Sequence, residues 1–477
     1  MKRTIIWFRK DFRLHDHPAL WEAAKEGIVI PVYIWSDEEK LSYSKSEASF
    51  WWLYHSLASL DKGLQTHGLK LFIKDGDEFD ALLEVMEEAD AGAVYFNERY
   101  EPDERKKDSR IAAQLESIGK EVQTFHGHLL FTPDLLNKQG EPYKVFTSYW
   151  KRCMQEVVAQ PFPVPEKMQG IDRELQTLPI DHIRTLAERP WNEKFHQYWE
   201  PGEQVAIGKW EQFSDDGIFY YGTERDLISS GSSSELSPYL AAGNISVKAI
   251  WYSAKRVYEE TTEMTARQSI NSFLKQLIWR DFAYHQLIHY PDIIRLPLRK
   301  QFAEFPWKGS NEQLTKWKVG QTGYPLVDAG MRELWETGVM HNRVRMVTAS
   351  FLVKHLLIPW GKGYSWFEKT LLDFDTANNA MGWQWVTGCG IDCAPYFRIF
   401  NPFLQSEKFD PDGTYIRKWV PELSRLPVPY IHRPWEAPAK VLEDADIQIG
   451  VTYPPPIVDH AAARKRALLA YQEVKGK

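Results

Sequence analysis

The chain has 477 residues, 43% apolar and 26% charged. This excludes a fibrous or disordered protein and exceeds what one compact core holds. A net charge of -7 excludes a basic nucleic-acid coat protein, though not a local basic site, and three cysteines exclude a disulfide scaffold and point to a reducing, cytoplasmic compartment.

Near the amino terminus the apolar stretch 5–8 runs straight into Arg9, Lys10 and Asp11, so no signal peptide is expected. No run approaches the ~18 apolar residues of a membrane helix. Short β-branched or aromatic runs at 4–8, 28–35, 69–74, 93–97 and 121–125 predict strands, with helices around 46–67, 77–88 and 101–119 between them. This alternation implies an α/β domain with a parallel, Rossmann-like sheet over 1–130. No strand is followed by G-x-G-x-x-G and there is no P-loop, which argues against a dinucleotide site there. From 131 to 202 the alternation stops. Pro161, Pro163, Pro165, Pro179, Pro190 and Pro201 read as a long surface connector. From 203 to 477 the pattern is helical, with segments near 203–213, 237–241, 246–258, 267–289, 311–318, 325–337, 340–357, 364–372 and 459–473.

Charge is uneven. Between 264 and 360, 13 Lys and Arg stand against 7 Asp and Glu, a local excess of +6. Trp279, Trp307, Trp317 and Trp335 are interleaved with it. A nucleic-acid face and a solvated helix surface both fit.

Several clusters carry chemistry. Gln276, Trp279, Arg280 and Ala283 share one helical face, suited to stacking a flat ring and hydrogen-bonding its edge, or simply to a partly buried Trp beside a paired Arg. Asn342, Arg345 and Met346 form a similar face, where Arg345 can neutralise an anion or form an ion pair. Residues 232–238 are a serine cluster at a helix start, fit for a phosphate or for capping alone. Asp373, Asp375, Asn378 and Asn379 precede Trp383 and Trp385, two candidate aromatic walls. No metal site is expected: the acids lack further oxygen ligands, and Cys389 and Cys393 have no second pair, so they and Cys153 read as reduced structural thiols. No nucleophile elbow or hydrolytic triad is present.

Six motifs then match one family in its order. The sequence resembles the DNA photolyase/cryptochrome family over essentially its whole length, most like its class I-type cyclobutane-dimer photolyases. The matches are the segment from Trp7 to Leu20, Ser233 to Pro238, Leu277 to Phe282, Thr322 to Ala329, and the pair Met340 to Met346 and Ala394 to Pro402. The resemblance implies an all-α FAD-binding carboxy-terminal domain joined by a connector to the α/β domain. It implies that Tyr221, Ser233, Ser234, Glu235, Leu236, Ser237 and Phe273 hold FAD together with Arg345, Asp373, Phe374 and Asp375, and that Asn379 lies at flavin N5. An amide there can donate or accept.

By the same resemblance the activity is light-driven DNA repair. Reduced FAD gives an electron to a flipped-out pyrimidine dimer, which splits. Trp279 and Trp385 are the expected stacking walls, and Gln276, Asn342 and Met346 the lining. Arg225, Arg280, Arg343 and Gln405 are the expected DNA contacts, and the positive region the expected phosphate groove. Trp307, Trp360 and Trp383 match the family's electron-hopping chain. Gln276 replaces the Glu of many cyclobutane-dimer enzymes; a Gln also occurs in six-four photolyases, but those carry a histidine pair at Asn342 and Met346. A second antenna chromophore is expected, a folate in preference to a deazaflavin. Asp103-Glu104 stands where some folate-binding members have Asn-Glu. The expected partner is damaged DNA, the expected state a monomer. The rivals are a blue-light signalling cryptochrome, which would favour Asp at position 379, and a light-independent flavin electron-transfer protein.

Overall fold

A computed structural model describes residues 1–396 and 398–475. Phe397, within the last matched motif, lies outside the described residues. The chain forms two compact units. The first comprises Met1–Gly222, Ser234–Pro291 and Leu372–Asp375; the second comprises Thr223–Ser233, Asp292–Leu371 and Thr376–Lys477.

The first unit contains a five-stranded parallel sheet: β1 Lys2–Trp7, β2 Gly27–Trp35, β3 Phe72–Asp75, β4 Ala93–Asn97 and β5 Glu121–Phe125. The order is β3-β2-β1-β4-β5. Register is set by pairs such as Ile5 with Ile30 and with Val94. Both faces are apolar because helices cover both. Ile6, Val29, Tyr33 and Tyr95 enter one core with Leu53, Leu57 and Leu64 of the helix Glu47–Gln65. Ile5, Ile30, Val32, Val94 and Phe96 enter the other with Leu82 and Val85 of the helix Glu78–Ala89.

All five expected strands are present. The third begins three residues late, because Leu69 and Leu71 are buried as loop residues. Two short helices, Pro18–Glu26 and Asp37–Tyr43, escaped the sequence pattern. The first starts with Pro and is capped by the His17 imidazole, which accepts from Leu20 N.

The stretch 131–202 is not the plain surface connector its prolines suggest. It holds the helices Phe146–Cys153 and Asp181–Ala187, and it buries Tyr149, Cys153, Ile183, Ala187 and Phe195 completely or nearly so. The prolines punctuate the chain but do not keep its aromatic residues out of the core.

The matched amino-terminal motif is a structural clasp of the first unit. Arg13 is buried and donates to the carbonyls of Gly127 (2.7 Å) and Gly243 (3.2 Å). Leu14 N and His15 N donate to the Glu203 carboxylate at 2.9 and 2.8 Å. Asp16, fully buried, pairs with Lys248 at 3.0 Å.

The second unit is helical. Pro325–Thr337, Asn342–Ser350, Trp360–Thr370 and Thr376–Thr387 pack on one another, and His460–Lys475 packs on the wide turn Phe351–His355. The buried Asp328 carboxylate fixes the Thr322 motif, accepting from Thr322 N (2.7 Å), Gly323 N (3.0 Å) and Tyr453 Oη (2.7 Å). The helix Thr376–Thr387 was missed in the sequence because its apolar residues do not gather on one face; it is lined on several sides.

Candidate functional site

The expected site residues fall in both units. Tyr221, Ser234, Glu235, Leu236, Ser237, Phe273, Gln276, Trp279, Arg280, Asp373, Phe374 and Asp375 belong to the first. Arg225, Ser233, Trp307, Asn342, Arg343, Arg345, Met346, Trp360, Asn379, Trp383, Trp385 and Gln405 belong to the second.

In the first unit, the 26-residue helix Met264–His289 supplies Phe273, Gln276, Trp279, Arg280, Asp281 and Tyr284. Its length lets one turn after another present a different group. Phe273 packs edge-on against Tyr221, with centroids 5.5 Å apart. Trp279 stacks face to face on Phe146 at 3.6 Å and 8°, so one of its two faces is already covered. Phe146 was not anticipated, because it sits in the stretch read as connector. It fixes the indole plane from one side, and Phe282 meets the ring edge-on at 5.7 Å. Gln276 is partly buried and its amide donates to Ser272 O at 3.3 Å, one turn back.

Arg280 departs from the outward pose expected of a DNA contact. Its guanidinium donates to His128 O (2.8 Å) and to His128 Nε2 (2.6 Å). Burial and the neighbouring Arg280 push the His128 imidazole well below its ordinary range, so it is a neutral acceptor. His128 Nε2 also lies 3.1 Å from Tyr284 Oη, which donates to Asp375 at 2.5 Å. Arg280 and Asp375, singled out separately in the sequence, are thus two ends of one chain through His128 and Tyr284. Neither intermediate residue carried a local motif; only the fold brings them in.

Around the serine turn, Ser233 and Ser237 are exposed, Leu236 is buried and Glu235 pairs with Lys209 at 2.6 Å. Glu235 has φ 52°, a left-handed conformation unusual for a residue with a side chain, which reverses the backbone just before Ser237.

In the second unit, Asn342 is exposed and Met346 partly buried, and the Asn342 amide lies 3.9 Å from Met346 Sδ. Arg343 pairs with Asp226 at 2.5 Å and lies over the Phe409 ring. Arg345 Nε donates to Met340 O at 2.6 Å. Arg332 likewise pairs with an acid outside the positive region, Glu422, so the region's formal excess overstates the free charge. Arg225, Gln405, Asn379 and Trp385 are partly buried, and the Asn379 amide lies 3.4 Å from Tyr364 O.

Trp383 is 2% exposed and its indole N–H is buried with no hydrogen-bond partner. The ring meets Phe367 edge-on at 5.1 Å and Trp317 at 6.4 Å. It fits because position 363 is Gly: a Cβ there would lie 2.0 Å from the indole. Trp360 starts the same helix as Gly363 and is 7% exposed, while Trp307 is partly buried against Phe305 at 4.4 Å.

Residues 4–166 match the DNA photolyase domain and residues 273–473 match the FAD-binding domain of DNA photolyase. The chain is 43% identical over 476 residues to a deoxyribodipyrimidine photo-lyase of Agrobacterium fabrum, covering 99% of this chain and 98% of that one. The chain belongs to the photolyase/cryptochrome family. It is also 37% identical to cryptochrome-2 of Arabidopsis thaliana, over 97% of this chain and 78% of the relative. The crystal structure of a class III photolyase from Agrobacterium tumefaciens superposes with a TM-score of 0.95 at 42% identity, covering 100% of this chain and 98% of that one.

The donor set suits the FAD of that family. Exposed serine hydroxyls suit phosphates, carboxylates suit ribityl hydroxyls, and the Asn379 amide can donate or accept at a ring nitrogen. Among the described residues no helix is long and apolar enough to cross a membrane.

One family-motif residue the site does not use directly is Asp281. It is fully buried and accepts from Leu130 N and Phe131 N, both at 2.9 Å. Burial, only partly offset by Arg280 and these two bonds, raises its carboxyl from 3.8 to about 7. An acid raised on folding stabilises most below its ordinary pKa, and that stability is lost as pH rises through the folded value. The expected result is that Asp281→Asn, whose oxygen still accepts both N–H groups, flattens the fall in unfolding free energy between pH 3.8 and about 7. Urea unfolding across that window checks it; an unchanged pH profile contradicts it.

Proposed function

We propose that this chain is a light-driven DNA repair enzyme acting on cyclobutane pyrimidine dimers. The observation that carries the reading is the Trp279 indole, held flat by Phe146 with one face covered, beside Gln276 on the same helix. A rigid ring with a hydrogen-bonding amide one turn away suits a flipped-out pyrimidine pair, recognised by stacking and by its edge. Asn342 and Met346, i and i+4 on their helix, pair an amide with a soft thioether and suit the lining of such a pocket, and Trp385 suits a stacking surface.

Tyr221, Phe273, residues 233–237, Arg345, Asp373, Phe374, Asp375 and Asn379 would hold FAD. Bound and reduced, FAD supplies on blue-light excitation the electron that splits the dimer and recovers it afterwards. The chain's own residues bind, orient and exclude water. Gln276 keeps an acceptor for a thymine N3–H and adds a donor for a carbonyl, but carries no charge. Arg225, Arg343 and Gln405 would meet the DNA strand. Arg280, committed to His128, would join them only by releasing that contact. Trp307, Trp360 and Trp383 would carry electrons inward. In this reading 1–130 is the antenna domain, 131–202 the connector and 203–477 the catalytic domain, and the protein acts as a cytoplasmic monomer.

A folate is the second chromophore in this reading. Asp103 is exposed and Glu104 pairs with Arg99 and sits near Lys107, so the pair differs from Asn-Glu in carrying one more negative charge. An absorption spectrum of purified protein, with or without a near-ultraviolet folate band, decides it.

Asn379 and the His-free pair Asn342 and Met346 favour dimer repair over signalling or six-four repair. Trp385→Ala is expected to weaken binding to dimer-containing DNA by ~1–3 kcal/mol, the scale of one stacking contact. Titration of labelled DNA with and without a dimer tests this; unchanged damage-selective affinity contradicts the pocket.

A further inference from the structure

Away from these residues, within the first unit, three metal-ligating side chains converge. His55 lies on the helix Glu47–Gln65, Glu188 follows the helix Asp181–Ala187, and His196 lies in the turn Glu193–Gln197. One imidazole nitrogen or carboxylate oxygen from each lies within 4.8 Å of the others. His55 Nε2 is 3.9 Å from Glu188 Oε1, too far for a hydrogen bond. That nitrogen is buried and has no hydrogen-bond partner.

Other features point the same way. The other Glu188 oxygen accepts from Arg184 Nε at 3.1 Å, which orients the carboxylate as an outer partner does in metal sites. The two imidazole rings are 4.7 Å apart at 80°, and both rest against Trp51, at 4.5 and 4.9 Å. His196 is exposed and gives a path of entry. Bonds of about 2.0–2.2 Å in a tetrahedral site place ligand atoms roughly 3.4 Å apart, so His55 and Glu188, now at 3.9 Å, need a small approach and the widest pair a side-chain rotation.

We propose that His55, Glu188 and His196 form a binding site for a divalent transition cation, zinc first, which ties the connector to the helix Glu47–Gln65. Two imidazoles and one carboxylate select zinc, cobalt, nickel or copper over calcium and magnesium. The fourth position is left to water. The sequence offered no such signal, because the ligands are dispersed over three elements and none has a metal-type spacing.

The test uses untagged full-length protein with its flavin, stripped by a chelator and dialysed against Zn²⁺ alone. The wild type is expected to retain one equivalent that His196→Ala and Glu188→Gln do not. Arg184→Ala is expected to bind about 10–100-fold more weakly. Co²⁺ in place of Zn²⁺ is expected to give the visible bands of a tetrahedral site in the wild type only. His196 is exposed and Glu188→Gln keeps its shape, so both variants fold. Equal zinc content in the wild type and both variants, or no visible cobalt bands, overturns the proposal.

Discussion

Trp383→Phe is expected to abolish light-driven reduction of bound FAD, while protein reduced chemically beforehand still splits dimers. The two halves of that outcome separate electron supply from repair. The physical basis is the placement of the ring. Trp383 is almost wholly buried, and its indole slots against the helix Trp360–Thr370 where Gly363 has no side chain. It touches Phe367 and Trp317 edge-on. Indole loses and regains an electron far more readily than a phenyl ring does, so Phe keeps much of the packing and removes the carrier. Absorbance of oxidised flavin under blue light reads the first half, and dimer loss in pre-reduced protein reads the second. Normal photoreduction in the variant contradicts the role given to Trp383.

The largest stability effect is expected at Asp16. Its carboxylate is fully buried, pairs with Lys248 at 3.0 Å, and accepts from Phe162 N at 3.1 Å and from the Ser246 hydroxyl. The Lys248 side chain is only 6% exposed. Asp16→Ala leaves that ammonium buried without its partner, which costs about 3–5 kcal/mol. Replacing both members with apolar residues, Asp16→Leu with Lys248→Met, is expected to recover a large part, because the unpaired charge goes as well. Denaturant midpoints of the wild type, the single variant and the double variant test this. A double variant no more stable than Asp16→Ala contradicts it.

Asp16 also marks what a sequence reading can reach. The motif from Trp7 to Leu20 was recognisable as a block, and it identified the family. Its physical work was not visible, because Arg13 and Asp16 act on Gly243 and Lys248, more than two hundred residues along the chain. The sheet was legible strand by strand, since each strand is a short apolar run between turns. The helix Thr376–Thr387 was not, because it is lined on several sides and has no single apolar face.

The candidate site divides in the same way. Gln276, Trp279 and Arg280 could be placed on one helical face from spacing alone. What each one touches could not. Phe146 came from a stretch that prolines had disguised, and His128 and Tyr284 link Arg280 to Asp375 without any motif of their own. The positive region between 264 and 360 shows the limit of counting charge. Arg332 and Arg343 are already paired, so the sum of formal charges says little about where a phosphate can sit.

Repair itself is read by a single comparison of light with dark. Reduced protein is incubated with DNA carrying cyclobutane dimers under blue light, with a matched sample kept dark. The dimers are expected to revert to pyrimidines only in the light. Dimers that persist in the light, while the dark sample still binds damaged DNA tightly and selectively, would contradict it.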